Sequence, residues 1–205
     1  MKKVLIIGVP RSGTTSLVES FRYNGFKTSN EPHWQSKLAE VSNFDYIYNL
    51  TKSVDRKLYP KLAVKVTNSQ YDGYPSTDQS QISTYFKSLV SLFDKTILLD
   101  RLDFEDHFIS YCNLLGKHED NWSAYDSYLE ENVDIDDEHR ETLQKDKQQL
   151  RYISEVLNLP IYYYEDIYYG DPKKVFEKEK IPFSEEQLKF LNPINRQRKV
   201  SKSII

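Results

Sequence analysis

A chain of 205 residues that is 39% apolar and 14% aromatic can enclose one sizeable core and is short for two, so a single domain spanning residues 1–205 is expected. Its formal net charge of -3 supplies no general attraction to nucleic acid or to an anionic membrane, and neither is expected as a partner. The single cysteine, Cys112, excludes an internal disulfide and a multi-cysteine metal site, and is expected as a small buried hydrophobe.

The chain opens MKKVLIIG. Its apolar run stops at Gly8, short of the roughly 7–15 residues of a signal core, and no later stretch approaches the roughly 20 of a membrane span. A soluble, cytoplasmic protein is expected. Lys3 to Ile7 reads as a buried parallel strand, followed by a glycine-containing turn and a helix whose face carries Leu17, Val18 and Phe21, with Gly25 as its stop. Leu62 to Val66 and Thr96 to Leu99 read as further core strands, each preceded by a segment of helical period. Between them Ile82, Phe86, Leu89, Val90 and Phe93 share one helical face.

Phe104, Phe108, Cys112 and Leu115 repeat that pattern, as do Leu143, Leu150, Ile153 and Leu157 on a long charged helix ended by Pro160. Ile161 to Tyr164 offers a fourth strand. Asp171-Pro172 opens a helix as cap and first residue, and Ser184 with Gln187 forms a capping box for another. This alternation predicts a three-layer α/β/α domain with a central, mainly parallel sheet and ligands at the carboxyl ends of its strands. The acidic stretch Glu130 to Glu141 reads as a solvated approach to the long helix, and the basic tail around Arg198 and Lys199 as a segment able to meet an anion.

The segment Gly8-Val9-Pro10-Arg11-Ser12-Gly13-Thr14-Thr15 lies between predicted strand and helix, where backbone N–H groups can wrap a phosphate. Its spacing matches the nucleotide P-loop, but Thr14 occupies the lysine position. That lysine serves the β and γ phosphates in nucleoside triphosphatases, so its loss argues against ATP or GTP chemistry. Arg11 supplies a cation earlier in the loop.

GVPRSGTTSL resembles the 5′-phosphosulfate-binding loop of the sulfotransferases. No catalytic metal is expected, because His107, His118 and His139 have no metal-ligand company in the sequence. The resemblance implies a P-loop-like fold, 3′-phosphoadenosine 5′-phosphosulfate as donor and adenosine 3′,5′-bisphosphate as product. By it, Arg11, Ser12, Gly13, Thr14 and Thr15 would hold the 5′-phosphate and the sulfuryl oxygens. LLDRLDFEDHFISY is similar to the family's 3′-phosphate segment, with Arg101 past the third strand and Ser110 on the next helix, one residue farther apart than in the commonest version and without the usual proline. Arg198 and Lys199 would close over that phosphate. Tyr164-Glu165-Asp166-Ile167 resembles a segment that follows a late core strand in bacterial and carbohydrate members.

Sulfuryl transfer needs a base for the acceptor proton and positive groups on the leaving oxygen. Glu31, in a run EPHW similar to one in carbohydrate sulfotransferases, is the first candidate base, and His33 is its rival. Trp34 is a candidate wall for the acceptor. Lys65 resembles the lysine that members aim at the sulfuryl or bridging oxygen. Thr67 stands where cytosolic members place a catalytic histidine, which favours the glutamate. The expected reaction is in-line transfer to a hydroxyl or amine of a small-molecule or carbohydrate acceptor. A small P-loop kinase acting on a nucleoside or metabolite, and a non-catalytic nucleotide-binding module, are the alternatives.

Overall fold

The computed structural model describes residues 1–30, 32–69, 71, 78–115 and 137–192, and the structural statements below concern these. Five strands, β1 (Lys3–Gly8), β2 (Lys27–Ser29), β3 (Leu62–Thr67), β4 (Lys95–Asp100) and β5 (Ile161–Tyr163), form one sheet in the order β2-β3-β1-β4-β5 with parallel pairings. β1 is central, with Gly8 opposite Thr67 of β3 on one side and Leu99 of β4 on the other. From β1 the chain runs to the edge strand β2, returns to β3 beside β1, and then crosses to β4 and β5 on the other side. The loop that leaves β1 therefore stands at the topological switch point, where such sheets open a crevice.

Helices cover both faces because each central strand is apolar on both. Leu5, Ile7, Leu62, Val64, Val66 and Leu98 pack under α3 (Asn43–Asp55), α4 (Gln79–Val90), α5 (Phe104–Leu115) and α6 (Asp137–Leu157). Val4, Ile6, Ala63, Ile97 and Leu99 pack under α1 (Thr14–Ser20), α7 (Tyr164–Tyr168), α8 (Pro172–Lys178) and α9 (Glu185–Leu191). The remaining helix, α2 (Pro32–Leu38), follows β2. Each fully buried Leu, Ile or Phe side chain contributes roughly 1.5–3 kcal/mol relative to exposure. Cys112 is buried among them.

β1, β3 and β4 each run slightly beyond the expected residues, and three local features also differ from the sequence reading. α1 ends at Ser20 and tightens into a 3₁₀ turn, Phe21–Asn24, before Gly25 takes the left-handed conformation that stops it. The fourth strand ends at Tyr163, because Tyr164 already begins α7 and turns its ring toward the loop after β1. At α9 only half of the expected capping box forms. Ser184 accepts from the Gln187 amide, but the fully buried Gln187 side chain reaches Ser20 Oγ at 3.0 Å and accepts from Asn24, fastening α9 to the first helical segment.

Candidate active site

β1 delivers the chain to a loop that only glycines allow. A Cβ at Gly8 would stand 2.5 Å from the Leu99 carbonyl and 2.5 Å from Thr14 Cγ2. Ser12 closes the turn. It is buried, its amide donates to the Val9 carbonyl at 3.2 Å, and its hydroxyl lies 2.8 Å from that oxygen and 3.1 Å from Leu99 O. Ser12 therefore ties its hydroxyl to the loop's own backbone. Arg11 and Gly13 hold positive φ of 67° and 87°, and left-handed residues in such a turn make successive N–H groups converge on an anion. The first N–H groups of α1, from Thr14 onward, have no partner within their own helix. Thr14 is buried and Thr15 exposed.

Arg11 is a costly residue at positive φ, and the structure shows what holds it. Its Nε donates to the Ser110 carbonyl at 3.1 Å and lies 3.2 Å from Ser110 Oγ. The sequence reading assigned these two residues to opposite ends of a ligand, yet they touch. Directly behind them His107 of α5, fully buried, has Nε2 2.7 Å from the Pro10 carbonyl.

Arg101 follows β4 as anticipated. Its guanidinium lies 4.7 Å from the Tyr164 ring centre, 3.7 Å from Asp106 and 3.9 Å from Glu165. Those ion-pair distances exceed hydrogen-bond length, and its buried Nε has no hydrogen-bond partner among the described residues. An orphaned guanidinium donor in a largely shielded position suits a phosphate oxygen. Glu165 also accepts from the Leu102 amide at 2.9 Å, which fixes the backbone beside the arginine.

Lys65 is 5% exposed, near the carboxyl end of β3 opposite Ile6. Alternation places it on the face of Ala63, beneath α1. Past it, Asn68 donates its backbone N–H to the Gly8 carbonyl at 3.0 Å and its side-chain amide to the Asp146 carbonyl at 2.7 Å, while the buried Asn68 Oδ1 and Thr67 Oγ1 lack partners among the described residues. Buried polar atoms left unsatisfied at the carboxyl end of the sheet call for a partner such as water or a polar ligand.

His33 is half-buried in α2, edge-on to Trp34 at 6.0 Å, and Trp34 is 56% exposed with Lys37 over its ring. Glu31, Arg198 and Lys199 lie outside the described residues. Asn30, next to Glu31, donates to Glu19, whose carboxylate also pairs with Arg22 at 2.6 Å.

The sequence model of the sulfotransferase domain family matches residues 3–155, from β1 into α6. The chain belongs to the sulfotransferase domain family. A search of curated proteins finds no match. Membership makes the chain a transferase enzyme.

Two further facts bound the sulfotransferase site. Among the described residues no group of three or more His, Cys, Asp or Glu is arranged to hold a metal ion. No helix among them is long and apolar enough to cross a membrane. Sequence reasoning missed His107, Lys147, Asn68 and Asp146. Lys147 and Asp146 sit within the charged sequence of α6, where the signal of a solvated surface masks them; their position on the Leu143 and Leu150 side was the available clue.

Proposed function

We propose that the chain transfers a sulfuryl group from 3′-phosphoadenosine 5′-phosphosulfate to a hydroxyl or amine of a small-molecule or carbohydrate acceptor, by in-line displacement within one domain and without a catalytic metal. The observation that carries this is the loop itself: a glycine-tight phosphate turn in a sulfotransferase chain, with buried Thr14 in place of the lysine and Arg11 raised into a left-handed position.

In this reading the N–H groups at Gly13, Thr14 and Thr15 receive the 5′-phosphate. The guanidinium of Arg11, held through Nε by Ser110, keeps its two terminal nitrogens for the charge on the transferring group. Arg101 takes the 3′-phosphate, with Arg198 and Lys199 closing over it. Ser110 acts by holding Arg11, in addition to any contact of its own, and Ser12 acts by closing the turn. Lys65 stabilises the bridging oxygen as the sulfur–oxygen bond to the donor phosphate breaks and the electron pair stays with that phosphate. Glu31 accepts the acceptor's proton, with His33 as the alternative base. Adenosine 3′,5′-bisphosphate and the sulfated acceptor leave.

The test is calorimetric titration with adenosine 3′,5′-bisphosphate against ATP plus magnesium, followed by transfer from labelled donor to a panel of sugars, phenols and amines. Binding of the bisphosphate and transfer to one acceptor class are expected. Preference for ATP with magnesium would support the kinase instead, and bisphosphate binding without any transfer would support a non-catalytic module.

A further inference from the structure

Three buried side chains with no part in that reaction meet beneath the loop. His107 on α5 places Nε2 2.7 Å from the Pro10 carbonyl, and its Nδ1 lies 3.4 Å from Nζ of Lys147 on α6. Lys147 Nζ also donates to Asp100 Oδ1 at 2.8 Å and to the Arg101 carbonyl at 2.6 Å. Asp100 Oδ1 is 3.7 Å from His107 Nδ1, beyond hydrogen-bond length. These partners decide the protonation of the ring. A carbonyl only accepts, so Nε2 carries the hydrogen; an ammonium only donates, so Nδ1 is the bare nitrogen. Burial acts in the same direction and pushes His107 down to about 4.

We propose that Lys147 and His107 are positioning residues for the sulfotransferase site: one buried ammonium holds the Arg101 carbonyl directly and the Pro10 carbonyl through the Nε2–H form of His107. The loop and the strand-end arginine are thereby fixed in one frame. The Pro10 carbonyl belongs to the peptide plane that enters Arg11, so pinning it helps hold Arg11 at the left-handed φ of 67°, a strained conformation for a residue with a side chain. Stability alone gives no reason for such a cluster, because well-packed apolar residues commonly replace a buried ion pair without loss. Its geometry gives one, since its bonds end on the two backbone segments that present Arg11 and Arg101. The inference rests on the proposed donor only for what those arginines hold.

The test compares wild type, His107→Leu, His107→Gln and Lys147→Met by amide hydrogen exchange and by titration with adenosine 3′,5′-bisphosphate. The glutamine amide can take the place of Nε2–H. In the Leu and Met variants, exchange at Val9 and Ser12, whose amides are hydrogen-bonded in the loop, should quicken about tenfold while β1, β3 and β4 keep their protection, and bisphosphate binding should weaken about tenfold; His107→Gln should stay within about threefold of wild type on both counts. Unchanged loop exchange in both variants, equal loosening of loop and sheet, or a Gln variant as loose as the Leu variant would overturn the proposal. If His107→Leu does not fold, Lys147→Met and His107→Gln still decide it. If the wild type binds no bisphosphate while the Leu and Met variants show the loop-confined pattern, the positioning role is supported and only the donor reading is removed.

Discussion

The Tyr168 hydroxyl donates to the Gly13 carbonyl at 2.7 Å, tying the end of the loop to a helix 155 residues later. Tyr164 stacks on Tyr168 with ring centres 4.3 Å apart, and a Cβ on Gly13 would come within 2.7 Å of both rings. Gly13 is thus required twice, by its φ of 87° and by this aromatic roof. Arg101, lying against Tyr164, joins the same assembly. The packing links the loop to β5 and α7, which lie beyond the matched residues 3–155.

Gly13→Ala is therefore expected to cost about 2–5 kcal/mol, combining a positive-φ penalty of about 1–2 with overpacking of about 1–3. Tyr168→Phe, which loses only the hydrogen bond, should cost about 1 kcal/mol. Urea unfolding checks both through the midpoint at constant slope. An alanine variant as stable as wild type would mean that the tyrosines do not cover the glycine.

Arg11 and Lys65 call for different substitutions. Arg11 is exposed, so Arg11→Ala should change stability by no more than about 1 kcal/mol while lowering transfer by about 100-fold or more. Lys65 is buried where Arg11 is exposed. Its burial in β3 means that alanine would also open a cavity, so Lys65→Met, which keeps the volume, is the cleaner test. Transfer should fall by a similar factor with the sheet intact by circular dichroism. Full turnover in either variant would remove that residue from the reaction.

The contrast between those two residues shows what a sequence can convey here. β1, β3 and β4 are buried on both faces, so they read as unbroken apolar runs, and the glycine spacing of the loop is local and visible. Contacts across the fold are not. Arg11 meets Ser110 across 99 positions and Lys147 meets Asp100 across 47, and no periodicity encodes such pairs. Lys147 and Asp146 lie on a helix whose other charges are solvated, so their burial emerges only when α6 packs on α4, α5 and β4. Arg101 was legible as a cation after a strand, whereas its place on Tyr164 depends on β5 pairing with β4.

Asp146 should impose a pH slope on stability. It is 3% exposed, and burial raises its pKa to about 7 from the ordinary 3.8. The folded state therefore holds this proton through a range in which the unfolded chain has released it. Its stabilising contribution is complete below about pH 4 and is lost as pH rises through about 7, at no more than about 1.4 kcal/mol per pH unit. Asp146→Asn should gain stability relative to wild type from pH 5 to pH 8. Parallel stability profiles for the two proteins across that range would contradict the shift.

His107 should act with the opposite sign over part of the same range. Burial is the largest influence lowering its pKa to about 4 from 6.5; Lys147 and Arg101 add to it, while the Pro10 hydrogen bond and Asp100 oppose it. The unfolded chain takes up the proton first, so this contribution is present above about pH 6.5 and is lost as pH falls through about 4. Between those limits the falling contribution of Asp146 and the rising contribution of His107 offset each other, and the wild type should show a shallow profile. Each single variant exposes the other group. Asp146→Asn should become more stable as pH rises from about 4 to 6.5, whereas His107→Gln should become less stable over that interval and on to about 7. Chemical denaturation at half-unit pH steps checks the crossing, and two slopes of the same sign would show that at least one of the buried groups titrates as it does in water.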